Sequence, residues 1–443
     1  MLGRFEEVRR LRPVDLVRPV AGPLPAVPCL AVAQPVAGAA TRTGWRAEDG
    51  TEIAAHLDRD GVRLEVRLAG VAETHRHRSR RHGRPEAAPD SLALTLTGPH
   101  LVAWTLEAGR WRVRARVDLA VDHGVEVHRE DWLASLRPDA AQHGLFGQVG
   151  LRDLRLVTEA DGTAYRAPDL PADHVLLTAT SAGPGAFSSG HCSVWALDTA
   201  RLELTHRADL FFRRRGAAGT GVFGDHAVHL LHHEGQWLVA ASTWGDFDKR
   251  RPGASVGVTL AESSADLTQG VHLLDSSPLP LPTDGLTSVG VWDPHLVLDD
   301  DRWLVGYVSA SRFFRFHPVL AEGPALDRLA LRAAAARRTA TEGTTLHRDP
   351  RVGDGWLVLA SDGRDGRRGQ RERYPVFDLD LTEIGALDAP YPTNIPWPTL
   401  VPSSAGLLMV GFDTTPSGGP LVGYGSHGDV VLARQVATAR TAG

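Results

Sequence analysis

The chain has 443 residues, more than one ordinary domain needs, and its 42% hydrophobic and 23% charged content is that of a globular protein. A net charge of −5 excludes a global attraction to nucleic acid, and no apolar run reaches the roughly eighteen residues of a membrane-spanning helix. The two cysteines, Cys29 and Cys192, provide no disulfide framework, and the opening M-L-G-R-F-E-E-V-R-R lacks the apolar segment of a secretory signal, so a cytoplasmic location is expected.

Residues 1–43 are rich in Pro, Ala and Val and show no clear period; a short helix near Phe5–Leu11 and then an extended arm are expected. From 44 to 120 the segments Glu52–Leu57, Val62–Leu68, Ser91–Leu96, Leu101–Leu106 and Trp111–Val117 alternate apolar and polar residues between Asp-Gly and Gly-Pro turns. That pattern predicts half-buried antiparallel strands and a small β-sandwich. The basic run His75–Arg84 reads as a solvated loop tip. The segments D-R-D-G-V-R-L-E-V-R-L and D-S-L-A-L-T-L resemble those of carbohydrate-binding sandwich modules, although a structural cap is the preferred role. Residues 121–147 read as a linker with a short helix at Glu130–Leu136. The expected division is therefore 1–147 for the arm and sandwich and 148–443 for a second domain.

One phrase recurs in that second domain. It reads Q-W-L-V-A-A-S at Trp237, R-W-L-V-G-Y-V-S at Trp303 and G-W-L-V-L-A-S at Trp356, with weaker copies at His174 and Leu407. The copies lie 63, 66, 53 and 51 residues apart, and each comes after another apolar strand and a polar turn. Five strand–turn–strand units at this period predict an all-β fold, a five-bladed β-propeller, with blades near 150–215, 222–283, 288–340, 341–392 and 393–436. The Ala- and Arg-rich stretch Pro324–Arg338 reads as the one helix of this domain.

A propeller brings the start of each inner strand and the end of each second strand to one axial pocket. The starts carry Asp153, Asp225 followed by His226, Trp292 followed by Asp293, and Glu342; the fifth, Asn394-Ile-Pro-Trp-Pro, has no acid. The ends carry Trp244, Arg312 and Phe313, and Asp413. Aromatic faces suit a sugar ring, carboxylates suit its hydroxyls, and cleavage of a glycosidic bond needs two carboxyl groups flanking it. A single Asp at a strand start is more often a turn residue; four acids at corresponding places are harder to explain by structure alone.

The third unit, W-D-P-H-L-V-L-D-D-D-R-W-L-V-G-Y, and the fourth, T-E-G-T-T-L-H-R-D-P-R-V-G-D-G-W-L-V-L-A-S, resemble motifs of glycoside hydrolase family 43 and its five-bladed relatives, families 32, 62, 68 and 117. The first, R-D-L-R-L-V, is a poorer match. The resemblance implies a glycosidase in which Asp153 is the general base, Asp293 tunes and orients the acid, and Glu342 is the general acid. Leu154 and Thr344 replace the family's prolines, Asp225 is an additional acid, and the family's fifth-blade histidine near a central ion is absent. No metal and no cofactor are therefore expected. His226, His229, His232 and His233 alternate faces along one strand and cannot converge on an ion. His226 alone is placed with Asp225, Trp244, Trp292, Arg312, Phe313 and Asp413 among the substrate-binding candidates. The expected activity is hydrolysis of a small glycoside or oligosaccharide with inversion. The alternative is a carbohydrate-binding or scaffold propeller without turnover; a phosphorylase would need more basic residues around a phosphate than Arg312 supplies.

Overall fold

The computed structural model describes residues 2–436 apart from 21, 186, 354 and 424–427. Its strands form two bodies. In the first, a six-stranded sheet built on Cys29–Pro35, Pro89–Thr97, His100–Glu107 and Arg110–Asp118 faces a five-stranded sheet built on Thr41–Arg46, Glu52–Asp58 and Gly61–Arg67. The alternation seen in the sequence closes this sandwich: Ile53, Val62, Leu64, Leu94, Trp104 and Val113 point into one shared core.

The second body is the five-bladed propeller. The inner strands are Leu151–Leu156, His226–His233, Gly290–Asp299, Thr341–Arg348 and Thr399–Ser403, each paired antiparallel with the next strand of its blade. The outer strands of the first two blades, Glu203–Gly216 and Gly270–Pro278, also pair in parallel and join those blades at the rim. The repeated tryptophan has one task in each copy. Trp237 packs against Leu176, Val194 and Leu210 of the first blade. Trp303 packs against Leu231 and Leu238 of the second. Trp356 packs against Val297 and Leu304 of the third and donates its indole N–H to Asp299 at 2.9 Å. A blade cannot bury both faces alone, so one large apolar residue per unit, set against the preceding blade, is what the period encodes.

Two elements differ from expectation. Phe5–Leu11 is a strand, not a helix; it pairs antiparallel with Val430–Gln435 and becomes the outermost strand of the fifth blade. The open edge there offers a row of backbone partners that a short isolated helix could not match. Pro324–Arg338 is not helical either: Ala330–Ala334 forms the fourth strand of the third blade, on Arg315–Gly323. Tertiary pairing overrides the helix propensity of alanine and arginine, and small side chains fit this half-buried edge. The short helix expected at Glu130–Leu136 is present as Glu130–Ser135.

Candidate active site

The ladder slips once in four of the five inner strands, between Arg152 and Arg155, His226 and His229, Trp292 and His295, and Glu342 and Thr345. Each slip is a bulge, and one residue within it takes a positive φ: Asp153 at 52°, Ala227 at 56°, Asp293 at 59° and Gly343 at 77°. The left-handed region is disfavoured for most L-residues and tolerated best by glycine, then by Asn and Asp. At Gly343 a side chain is excluded twice, because a Cβ would also stand 2.6 Å from the indole of Trp397. The bulges turn the strand starts toward the axis, so that the residue before each bulge, and the bulge residues Asp153, Ala227 and Asp293, reach a single cavity.

That cavity, about 160 Å³, is lined by Arg152, Asp153, His226, Trp292, Asp293 and Glu342 from the first four blades, and by Asn394, Ile395 and Trp397 from the fifth. Its walls are aromatic. Phe187 stacks on Trp244 at 4.7 Å, Trp244 leans on Trp292 at 5.4 Å, and Phe247 meets Phe313 at 4.8 Å.

The three carboxyl groups stand in different surroundings. Asp153 is approached by Arg152 Nε at 3.2 Å and lies 3.9 Å from His226 Nδ1. Burial raises its pKa above the ordinary value, against the charges of Arg152 and Arg155 and a hydrogen bond from Thr180. Asp293 is deeper, 3% exposed, and its Oδ2 has no protein partner. Burial, then the charges of Glu342 and Asp153, push its pKa well above the carboxylate range. Glu342 accepts the Trp292 indole N–H at 3.2 Å. Burial pushes Glu342 up to about 7, with the Asp153 charge adding to the rise and the Trp292 bond opposing it. Asp293, which the resemblance has tuning the acid, is not among these causes; it is the charge of Glu342 that raises Asp293.

Beneath the cavity lies a second axial layer that sequence reasoning missed. Arg155 is fully buried and reaches three other blades: it donates to the Asp293 carbonyl at 2.9 Å and to Thr345 Oγ1 at 2.8 Å, and lies 4.6 Å over the Trp397 ring. Burial lowers its pKa to about 10, against the charges of Asp293 and Asp153. In this layer His229 and His295 stack at 4.1 Å, and burial holds both well below the usual histidine range. His229 Nδ1 accepts the Leu296 N–H at 3.1 Å, whereas His232 turns away to Glu159, so the four neighbouring histidines do not converge.

Of the candidates, Asp153, Asp293, Glu342, His226, Trp244, Trp292 and Phe313 line the cavity. Asp225, Arg312 and Asp413 do not. Asp225 is two residues ahead of the bulge residue Ala227, so it does not correspond to Asp153 and Asp293; fully buried, it takes Arg214 at 2.5 and 2.7 Å and the Gly245 N–H at 2.8 Å. Asp413 binds the Thr415 N–H and hydroxyl, both at 2.9 Å, and Arg10 of the N-terminal strand. Arg312 is exposed at the base of a hairpin, facing Arg315. Glu342 precedes its bulge residue by one, so it corresponds to Arg152, His226 and Trp292 rather than to the aspartates. Phe187, Phe247 and Phe314 line the cavity although no motif in the sequence marks them, and so do Arg152 and Trp397, which stand in strand-start motifs but are not among the candidates.

No protein-family model and no curated protein matches the sequence. Among solved structures, the chain is similar to a Penicillium chrysogenum α-L-arabinanase complexed with arabinobiose, at 14% identity and a TM-score of 0.37, covering 97% of this chain and 99% of that one. It is similar to an α-L-arabinofuranosidase from Fusarium graminearum at 11% identity and 0.38, covering 96% and 98%. With a Bombyx mori family 32 β-fructofuranosidase it shares 12% identity at 0.43, over 64% of this chain and 60% of that one. Likenesses this distant say nothing of what this chain acts on.

Proposed function

We propose that the protein is a glycoside hydrolase that removes one sugar from a small glycoside or oligosaccharide with inversion. The observation that carries this reading is the meeting of Asp153, Asp293 and Glu342, from three blades, in one aromatic-walled cavity with room for a single sugar ring. Glu342, near 7, is the acid that protonates the departing oxygen. Asp153, beside Arg152, is the base that draws a proton from the attacking water. Asp293, with its free Oδ2, holds a ring hydroxyl. The C–O bond to the leaving group breaks as water adds to the opposite face of the sugar, and the two carboxyl groups should stand about 6.5–9.5 Å apart to admit that water.

A panel of glycosides, arabinofuranosides and xylosides first, tests this. Glu342→Gln should abolish turnover of unactivated glycosides and retain part of the activity on aryl glycosides whose leaving groups need little protonation. Full activity of that variant on an unactivated substrate would exclude Glu342 as the acid. Retained anomeric configuration in the first product, read by proton NMR, would exclude Asp153 as the base.

A further inference from the structure

A second, larger cavity of about 980 Å³ lies between the sandwich and the propeller. The sandwich contributes the end of the strand Arg110–Asp118 and the segment after it, including Val117, Val121 and Val125; the propeller contributes Phe223 and the loop from Asp246 to Arg251. This cleft adjoins the axial pocket, for Phe187, Phe247 and Phe314 line both. The cleft therefore lies directly beyond these three rings from the axial pocket.

Phe314 stands at that junction in an unusual state. It is 60% exposed, the only exposed Phe, Tyr or Trp among the described residues. It also has a φ of 67° at the tip of the hairpin joining Arg302–Arg312 to Arg315–Gly323. A two-residue tip of this kind favours Gly or Asn where φ is positive. A phenylalanine that is both strained and exposed gains nothing from burial, so local structure does not account for it. Val121, 58% exposed on the opposite wall, adds a second apolar surface facing the same space.

The polar lining mixes acids with the cations Arg116, Arg129, Lys249, Arg250 and Arg251. All five of its acids are engaged within the protein: Asp118 by the Val121 N–H, Asp122 by the Asp118 N–H, Glu126 by Arg129, Asp246 by Arg214, and Asp248 by Arg250. In the axial pocket, by contrast, Asp293 keeps an unpartnered carboxyl oxygen. The apolar surface that Phe314 and Val121 present to this space suits a flat apolar group, which would cover both.

Resting on the glycosidase reading, we propose that the cleft between sandwich and propeller is the leaving-group subsite, that Phe314 is its specificity-determining contact, and that the group it takes is an aryl or fused-ring alcohol. The test uses the full chain and three variants. Phe314→Gly suits the backbone at that position, Val121→Arg fills the opposite wall from an exposed site, and Glu342→Gln disables the acid; thermal melting confirms that each folds. For the sugar found in the panel, the ratio of kcat/KM for the naphthyl glycoside to that for the methyl glycoside should fall about tenfold in Phe314→Gly and in Val121→Arg. An unchanged ratio, with turnover intact, overturns the subsite and leaves the hydrolase standing. A disaccharide losing as much as the naphthyl glycoside overturns the assignment of the occupant. If no glycoside is turned over, the role of leaving-group subsite falls with the hydrolase reading, and titration calorimetry with 2-naphthol decides on the occupant alone: binding that Glu342→Gln retains and both cleft variants lose supports an aryl-binding cleft at Phe314, and no binding to the wild-type chain overturns it.

Discussion

Glu342 should make the protein less stable as pH rises, and removing its charge should reverse that. The carboxyl titrates at about 7 in the folded chain and near its ordinary 4.5 when unfolded. A raised folded value means that the native state holds the proton more tightly. The associated stability is fully present below pH 4.5, is lost progressively between 4.5 and 7, and is gone above that. The gap corresponds to about 3.5 kcal/mol at about 1.4 kcal/mol per pH unit, and because Glu342 keeps a partly open face to the cavity, solvent reduces this to about 2 kcal/mol. Glu342→Gln keeps the shape, retains an oxygen for the Trp292 indole and cannot ionise. Its urea midpoint should match that of the wild type at pH 4.5 and exceed it at pH 8 by the equivalent of about 2 kcal/mol, read in parallel titrations of the two proteins. The substitution that removes the proposed acid would thus stabilise the fold, as expected where a buried charge is kept for its chemistry. A variant no more stable than the wild type at pH 8 would refute the reasoning, since a Glu342 that ionises without penalty is neither desolvated nor repelled by Asp153.

Two further outcomes rest on the same electrostatics. The kcat/KM for an unactivated glycoside should fall on the alkaline side with a midpoint near 7, as Glu342 loses the proton it must deliver, and that limb should vanish for a leaving group that needs none; a profile flat from pH 6 to 9 would contradict it. Arg155→Met removes the buried cation that lowers the pKa of both Asp153 and Asp293, so the acid limb of the profile should move to higher pH while KM changes little, because Arg155 does not line the cavity; loss of stability with an unmoved acid limb would leave Arg155 a packing residue only.

The blades were legible because each must seal itself against the one before, which writes two strands into the chain at a regular interval and, in three of the five blades, a tryptophan. The closing strand was not, since Phe5–Leu11 has no periodicity of its own and takes its conformation from the edge it covers, some 420 residues further on. At the site, Asp153, Asp293 and Glu342 could be picked out because acids beside a strand start were few and the geometry of a propeller collects them. What residue type could not show was the offset of each acid from its bulge. Asp225 and Asp293 look alike in sequence, both at the head of an apolar strand, yet the positive φ falls on Ala227 in one blade and on Asp293 itself in the other. Two residues of offset turn Asp225 onto Arg214, whose guanidinium satisfies it, and Asp293 into the cavity with an oxygen to spare. A carboxylate that already holds an arginine has little left to offer a sugar, and one that lacks a partner stays buried only where a ligand, a proton or its neighbours' chemistry gives it cause. The distinction between a structural and a chemical acid in this fold therefore rests on the bulge: the strand start supplies the residue, and the slip in the ladder decides what it faces.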